Sequence, residues 1–186
     1  MKEFLNYLHN VDDEVLEEYL SHWREYAAPK HTVMTAAGET ERYMYFVVEG
    51  IQKSYYQRGD KQHIIAFTYP PSFSGIPESF LVQVPSNYFL ETITDSKFKR
   101  LSFEKHQQLM QAHREIETLF RKATEKLLIG IMQRHYELMA LDMQTRFTSF
   151  VKRSPHLLHM VSQKDLASYL RIDPTNFSKL LGTVRI

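Results

Sequence analysis

The chain has 186 residues, of which 43% are hydrophobic and 24% charged, and its formal net charge is +1. This balance is ordinary for a globular domain and excludes a low-complexity or intrinsically disordered chain. The absence of cysteine excludes disulfides and thiolate metal sites. The first residues lack the apolar core of a signal peptide, and no apolar run approaches the roughly 20 residues that span a bilayer. We therefore expect a cytoplasmic protein with no membrane partner.

The small net charge conceals an uneven distribution along the chain. Residues 141–186 contain seven basic and three acidic residues, so this segment carries +4 and the remainder −3. Such asymmetry is typical of proteins that bind nucleic acid. On charge alone, an ordinary fluctuation in a short segment explains it equally well.

The first predicted element is a helix over residues 12–26. Asp12 is a suitable N-cap, and Pro29 follows the segment as a helix breaker. Apolar residues recur between them at helical spacing, namely Val15, Leu16, Tyr19, Leu20 and Trp23.

Residues 31–103 have the character of short strands separated by turns. The turn signals include Ala37-Gly38-Glu39, Glu49-Gly50 and Pro70-Pro71. Short strands at this spacing predict a compact sandwich or barrel. The predicted strands are Tyr43–Val48, Gln52–Gln57, Gln62–Tyr69, Tyr88–Thr94 and Phe98–Ser102.

Residues 104–140 are predicted to form one long helix, because Gly130 is the only glycine or proline in the segment. A helix of this length with an apolar stripe needs a surface to pack against. Either the β domain covers it, or a second copy packs alongside as a coiled coil, which explains the length better. The stripe comprises Ile116, Leu119, Phe120, Ala123, Leu127, Ile131, Arg134 and Leu138.

The C-terminal segment is predicted to contain three more helices. One spans residues 141–154, and a pair follows at residues 162–170 and 174–181. Ser162-Gln163-Lys164-Asp165 has the form of a capping box. Asp173 is a good N-cap and Pro174 a good first helical residue. The pair, with its short turn at residues 171–173, therefore matches a helix-turn-helix.

The polar residues of this pair have the chemistry to read DNA. Ser, Thr and Asn side chains hydrogen-bond base edges or phosphates, and Lys reaches guanine or phosphate. A helical hairpin that merely has a polar face is the alternative. The predicted DNA-binding residues are Ser162, Gln163, Asp173, Pro174, Thr175, Asn176, Ser178 and Lys179.

Arg171 occupies a turn position where glycine is usual, because the backbone there tends to be left-handed. A residue other than glycine costs about 1 kcal/mol in that conformation. This cost is tolerable, so the helix-turn-helix prediction stands.

Taken in order, the motifs resemble the cyclic-AMP receptor protein and FNR family of transcription regulators. The resemblance is carried by Gly38-Glu39, by Tyr45-Phe46-Val47-Val48-Glu49-Gly50, by Phe73-Ser74-Gly75 and by the C-terminal helix-turn-helix. It implies an α+β fold, in which a double-stranded β-helix, or β-roll, of the cyclic nucleotide-binding type is followed by a long dimerisation helix. A winged-helix-like DNA-binding domain with a short or missing wing then ends the chain.

The same resemblance implies the organisation and partners of the protein. The expected divisions are a sensor domain at 1–110, a dimerisation helix at 111–140 and a DNA-binding domain at 141–186. The expected partners are double-stranded DNA and a second copy of the chain, with RNA polymerase as a further candidate.

The family's effector site is a phosphate-binding cassette, a Gly-Glu-Leu turn followed by Arg-Ser/Thr-Ala. Gly75 matches the turn, but Ser86 stands where the arginine is expected, so the bidentate partner of a cyclic phosphate is missing. We therefore expect no certain cofactor and a small-molecule effector other than cyclic AMP, or a pocket filled by its own side chains. The predicted effector-binding residues are Phe73, Ser74, Gly75, Ile76, Glu78, Ser86, Asn87, Tyr88 and Ile131.

Two other functions are alternatives to a DNA-binding regulator. An enzyme or metal protein on a small barrel needs clustered histidines, whereas residues 31–103 contain only His31 and His63, far apart in sequence. We therefore expect neither catalytic nor metal-binding residues. The second rival is a ligand- or partner-binding β-roll module that has lost DNA binding, which Arg171 and the short C-terminus favour.

Overall fold

The computed structural model describes residues 1–182, which divide into two compact units. One unit consists of Met1–Ser54 and Phe67–Leu127, and the other of Tyr55–Ala66 with the chain from Leu128 onward. No helix within residues 1–182 is long and apolar enough to cross a membrane. The prediction of a short or missing wing concerns residues 183–186, which lie outside the described residues.

The chain begins with helices, continues through strands and ends with helices. Its first part comprises α1 (Lys2–Leu8), α2 (Asp13–Ser21), β1 (Arg24–Ala28), β2 (Val33–Thr35), β3 (Tyr43–Glu49), β4 (Gln52–Arg58), β5 (Lys61–Thr68), β6 (Ser72–Ser74), α3 (Pro77–Val82), β7 (Phe89–Thr92) and β8 (Ser96–Ser102). The rest comprises α4 (Phe103–Ala112), α5 (Arg114–Ala140), α6 (Met143–Arg153), α7 (Leu157–Met160), α8 (Gln163–Leu170) and α9 (Pro174–Leu181).

The strands form two antiparallel sheets, paired in the orders β1-β8-β3-β6 and β2-β7-β4-β5. The consecutive strands β3 and β4 lie in different sheets, and Gly50 makes the turn between them with a φ of 91°. A Cβ atom at Gly50 would lie 2.5 Å from the carbonyl oxygen of Asp95, so only glycine fits. The predicted α+β fold with a β-roll is confirmed.

Strand β3 separates two hydrophobic cores because its residues alternate between the faces of the sheet. Tyr45 and Val47 pack with Phe98 in a cluster on one face. Met44 and Phe46 point to the other face and pack among the helices, where Leu101 joins them. Full burial of each such side chain stabilises the fold by roughly 1.5–3 kcal/mol.

The prediction of a single helix over residues 12–26 is wrong at its C-terminal end. Asp12 caps the helix as expected, its carboxylate accepting a hydrogen bond from the N–H of Glu14 at 3.0 Å. The helix nevertheless ends at Ser21, and β1 begins at Arg24. Because β1 pairs with β8 over its whole length, the sheet overrides the local helical periodicity.

The prediction of one unbroken helix over residues 104–140 is also wrong. His113 adopts an extended conformation, with φ −129° and ψ 109°, and separates α4 from α5. Its N–H bonds to the carbonyl oxygen of Leu109, and its own carbonyl oxygen accepts from Ile116 at 3.1 Å. Leu109 and Ile116 are both buried in the helical core, so tertiary packing imposes a break that no glycine or proline signals.

Candidate functional site

The α8–α9 pair is built from local caps, as the sequence predicts. The Ser162 hydroxyl accepts a hydrogen bond from the N–H of Asp165 at 3.1 Å and caps α8. Asp173 caps α9, its carboxylate accepting from the N–H of Thr175 at 2.9 Å, and Pro174 is the first helical residue. Both predicted helices are confirmed; α8 begins at Gln163, one residue later than predicted, and α9 has its predicted bounds.

The turn between α8 and α9 depends on one residue with a left-handed backbone. Arg171 has φ 54° and ψ 44°, as predicted for this position. Its conformation lets the N–H of Ile172 bond to the carbonyl oxygen of Ala167 at 3.0 Å. Ala167 is almost fully buried, so the small side chain lets the turn close tightly.

Aromatic and aliphatic residues hold the two helices on a shared core. Phe177 of α9 is fully buried and meets Phe147 of α6 edge to face, with ring centroids 5.6 Å apart. Leu166 and Leu170 of α8 are buried in the same unit. Packing against α6 and α8 therefore fixes the orientation of α9.

The opposite face of α9 is polar and open to solvent. Thr175, Ser178 and Lys179 are exposed, whereas Asn176 is half-buried. Ser162 and Gln163 are exposed at the start of α8, beside its backbone N–H groups. The structure thus brings the predicted DNA-binding residues to the two helix N-termini and to the exposed face of α9.

Several cations of this unit have no counter-ion within the described part of the chain. They are exposed and form no ion pair with residues 1–182, and they comprise Lys152, Lys164, Arg171 and Lys179. Unpaired surface cations create a positive potential that attracts phosphate groups.

Arg146 is a structural residue that the sequence analysis counted only as a charge. Its guanidinium donates to the carbonyl oxygens of Leu141 at 2.5 Å, Leu170 at 3.1 Å and Arg171 at 3.2 Å. The last two carbonyls belong to the end of α8 and the turn, where helix carbonyls lack partners. Arg146 therefore fixes the turn that presents α9.

Two further contacts join the C-terminal part of α5 to α8 and α6. The guanidinium of Arg134 lies 3.5 Å from the ring centre of Tyr169 and donates to that residue's carbonyl oxygen. Glu137 accepts two hydrogen bonds from Arg153, at 2.9 and 3.3 Å. Burial acts to raise the pKa of Glu137, but the bonds and charge of Arg153 outweigh it and lower the pKa.

A hydroxyl group connects α8 to the hairpin formed by β4 and β5. Ser168 accepts a hydrogen bond from the N–H of Ile64 and donates to the carbonyl oxygen of Gln62, each at 3.1 Å. Strand β5 is at the edge of its sheet, so these backbone groups are available for pairing. The Ser168 hydroxyl therefore satisfies two backbone groups at the free edge of β5.

The predicted cassette turn lies between β6 and α3. Gly75 has a φ of 142°, Ile76 is buried and immediately precedes α3, and Glu78 is exposed in the first turn of that helix. Ser74 shares a hydrogen bond with Thr68 at 2.9 Å. Phe73 points away from the roll interior and packs against Phe4, Phe46 and Trp23.

The second half of the cassette uses its polar groups internally. The Ser86 hydroxyl accepts from the N–H of Tyr88 at 2.8 Å and donates to the carbonyl oxygen of the same residue at 3.1 Å. Asn87 is exposed, and Tyr88 packs against the same interior cluster as Ile76. The structure therefore brings Ile76 and Tyr88 together but places Phe73 elsewhere.

Glu41 is a buried residue of the cassette region that the sequence analysis missed. Its carboxylate accepts from the Thr35 hydroxyl at 2.7 Å and from the N–H groups of Arg42, Tyr43 and Ile76. Burial raises the pKa of Glu41. The Glu41 carboxylate thus accepts a hydrogen bond from the N–H group of Ile76, the residue that immediately precedes α3.

Ile131 and its neighbours lie on an exposed apolar face of α5. Each residue of this face is more than half exposed, and the set comprises Leu128, Ile131, Met132, Tyr136 and Met139. Large exposed apolar patches are rare on monomeric proteins.

Comparison with solved structures identifies the fold. FixK2 from Bradyrhizobium japonicum superposes with a TM-score of 0.74 at 19% identity, covering 86% of this chain and 83% of its own. The c-di-GMP-responsive global regulator CLP from Xanthomonas campestris gives 0.66 at 20% identity, covering 92% and 90%. The Thermus thermophilus catabolite activator protein gives 0.60 at 17% identity, covering 96% and 89%. No protein-family model and no curated protein sequence matches the chain.

Proposed function

Because the chain has the fold of the Crp/Fnr regulators, we propose that it is a homodimeric transcription regulator that binds DNA and senses a small molecule. The observation that carries this proposal is the exposed polar face of α9 together with the unpaired cations around it. In this proposal residues 141–186 form the DNA-binding domain and α8–α9 its helix-turn-helix.

The second helix of such a pair lies in the major groove, where its N-terminal residues contact base edges. Thr175, Asn176 and Ser178 would supply neutral hydrogen bonds to bases or phosphates. Lys179 would contact guanine or a phosphate. Ser162 and Gln163 would place the N–H groups of α8 against the phosphate backbone.

A second copy of the chain is the partner that we propose for the exposed face of α5. Leu128, Met132, His135 and Met139 follow steps of four, three and four, the spacing of a coiled-coil seam. Pairing of two such helices would bury the apolar face. It would also set two copies of α9 against half-sites about one helical turn, roughly 34 Å, apart.

We place the effector in the roll beside Ile76 and Tyr88, and cyclic AMP fits this site poorly. The cassette arginine is replaced by Ser86, whose hydroxyl already bonds to Tyr88. The Glu41 carboxylate adds a negative charge next to Ile76. A bound effector would change how the two copies of α5 pair, and thereby the spacing of the recognition helices.

These proposals imply a cytoplasmic regulator, with RNA polymerase as its further candidate partner, and no catalytic role.

The experiment that tests DNA binding is a fluorescence-anisotropy titration of labelled duplexes at increasing salt concentration. Each phosphate that the protein neutralises releases counterions, so affinity falls steeply with salt, by roughly 10³–10⁵ between 50 and 200 mM for six to ten contacts. A protein that binds no duplex at low salt, with or without cell extract metabolites, would instead be the ligand- or partner-binding module.

A further inference from the structure

One arginine in the β-roll is enclosed by aromatic rings on both sides. The Arg100 guanidinium of β8 lies 4.4 Å from the ring centre of Tyr26 and 4.5 Å from that of Tyr43. All three side chains are half-buried, so a small solute can reach the guanidinium. The N–H groups of this guanidinium form no hydrogen bond with residues 1–182, so they are the groups that a ligand could use.

Arg100 has no counter-ion in the described part of the chain. It makes neither an ion pair nor a hydrogen bond through its side chain with residues 1–182. Arg24 lies directly opposite on β1 and forms no ion pair there either, its guanidinium donating only to the Ser21 carbonyl oxygen. Like charges opposite each other on neighbouring strands are destabilising, and a bound anion would relieve this repulsion.

Tyr45 supplies a second unused polar group at the same place. It pairs with Arg100 across β3 and β8, so both side chains lie on one face of the sheet. The residue is only 3% exposed, yet its hydroxyl forms no hydrogen bond with residues 1–182. Burial raises the pKa of Tyr45, so the phenol remains a protonated donor.

The surrounding residues limit the kind of anion that fits. Glu41 acts electrostatically on Tyr45, so its carboxyl group lies near the phenol. A nearby acidic group disfavours a dianion such as phosphate more than it disfavours a monoanion. The adjoining cluster of Ile76, Phe98 and Tyr88 offers an apolar surface to the rest of the ligand.

We propose that the edge of Arg100 and the hydroxyl of Tyr45 bind a small organic carboxylate whose apolar part lies against the interior cluster of the roll. A planar carboxylate can accept two parallel hydrogen bonds from one guanidinium. Neither Arg100 nor Tyr45 is among the predicted effector-binding residues, whereas Ile76 and Tyr88 of the adjoining cluster are. The role of this carboxylate site as the effector site rests on the proposed regulator function, but carboxylate binding itself does not.

Isothermal titration of the full chain with benzoate, in the absence of DNA, tests the site. Arg100→Gln removes a charge-assisted pair and is expected to weaken benzoate binding roughly tenfold or more. Arg100→Lys keeps the charge but loses the planar fork, so it should restore little of the affinity. Tyr45→Phe should weaken binding about two- to tenfold. The control Arg114→Gln changes an exposed arginine of α5 and should leave affinity unchanged.

A second measurement keeps the test valid if a variant is misfolded. Benzoate should shift the NMR signal of the Arg100 side-chain Nε–H group in the unmodified chain. An unshifted signal at concentrations where benzoate binds, equal affinity in folded Arg100→Gln, or tighter binding of inorganic phosphate than of benzoate would overturn the proposal. Binding of benzoate that leaves DNA affinity unchanged would confirm the carboxylate site and remove only its effector role.

Discussion

Arg171 is the residue at which local backbone strain and a proposed function coincide. It has a φ of 54° in the turn before α9, and its exposed side chain forms no ion pair with residues 1–182. A left-handed backbone costs a residue other than glycine about 1 kcal/mol. Arg171 thus lowers the stability of the fold slightly and places a cation beside the proposed recognition helix α9.

Replacement of Arg171 should separate these two effects. Arg171→Gly is expected to raise the free energy of unfolding by up to about 1 kcal/mol and to weaken DNA binding by removing a cation. Arg171→Ala removes the same charge but retains the strain, so it should weaken binding without the gain in stability. Denaturant unfolding and anisotropy titration measure the two quantities. Equal stability of the two variants would contradict the assignment of strain.

His106 should make stability depend on pH. It is buried in α4 with Nδ1 3.4 Å from the Tyr19 hydroxyl, and burial lowers its pKa from 6.5 to about 4. In the unfolded chain His106 is therefore protonated below about pH 6.5, whereas in the folded chain it is protonated only below about pH 4. The stabilisation is complete above the unfolded pKa and is lost as pH falls through this window.

Between about pH 7 and pH 5, we expect this one group to remove about 2 kcal/mol of stability. Urea unfolding across that range measures the loss. His106→Gln should flatten the pH dependence, whereas His159→Gln, at an exposed position, should not. The same slope in both variants would show that another group titrates.

Lys179 tests the orientation of α9. Lys179→Ala should weaken duplex binding and reduce the slope of log affinity against log salt by about 1, because one phosphate contact is lost. Lys30→Ala removes the same charge at an exposed position in the other unit and should change neither. Loss of the dimer in Lys179→Ala would mean that this residue lies in a subunit interface.

At the scale of elements, α5 has two faces with different partners. On one face, Arg134 contacts Tyr169 of α8, and Glu137 accepts a hydrogen bond from Arg153 of α6. The apolar residues Leu128, Ile131, Met132, Tyr136 and Met139 remain exposed. One face therefore anchors the proposed DNA-binding helices, and the other is available to a second copy.

A charge on the exposed face should dissociate the proposed dimer. Met132→Glu would bury an uncompensated carboxylate in the seam, which costs far more than the contact it replaces. Sedimentation equilibrium should show a monomer for this variant. Val82→Glu, at an apolar position of α3 that is 65% exposed, should leave the dimer intact. A dimer that withstands Met132→Glu would place the interface elsewhere.

The ends of the elements show which features the sequence could predict. Asp12, Ser162 and Asp173 act within three residues of their own positions, so their caps could be predicted. The break at His113 and the early end of α2 could not, because packing of the helical core and pairing of β1 with β8 determine them.

At the scale of the whole molecule, turn signals and apolar spacing predicted a strand-rich domain followed by a long helix and C-terminal helices, and the family resemblance implied that the strands form a β-roll. The fold is confirmed. Contacts between distant residues could not be predicted. Ser168 bonds to a strand 104 residues earlier in the chain, and the aromatic enclosure of Arg100 depends on the register of three strands. Glu41 likewise acquires its role only when the cassette turn folds onto it.

The central claim is that the protein binds DNA as a symmetric dimer. Selection of bound duplexes from a random pool by the full chain at low salt tests it most directly. We predict enrichment of a two-fold symmetric site whose half-sites are separated by about one helical turn, roughly 34 Å. Enrichment of a single unpaired half-site would contradict the dimer, and a pool that remains unenriched with and without benzoate would contradict DNA recognition itself.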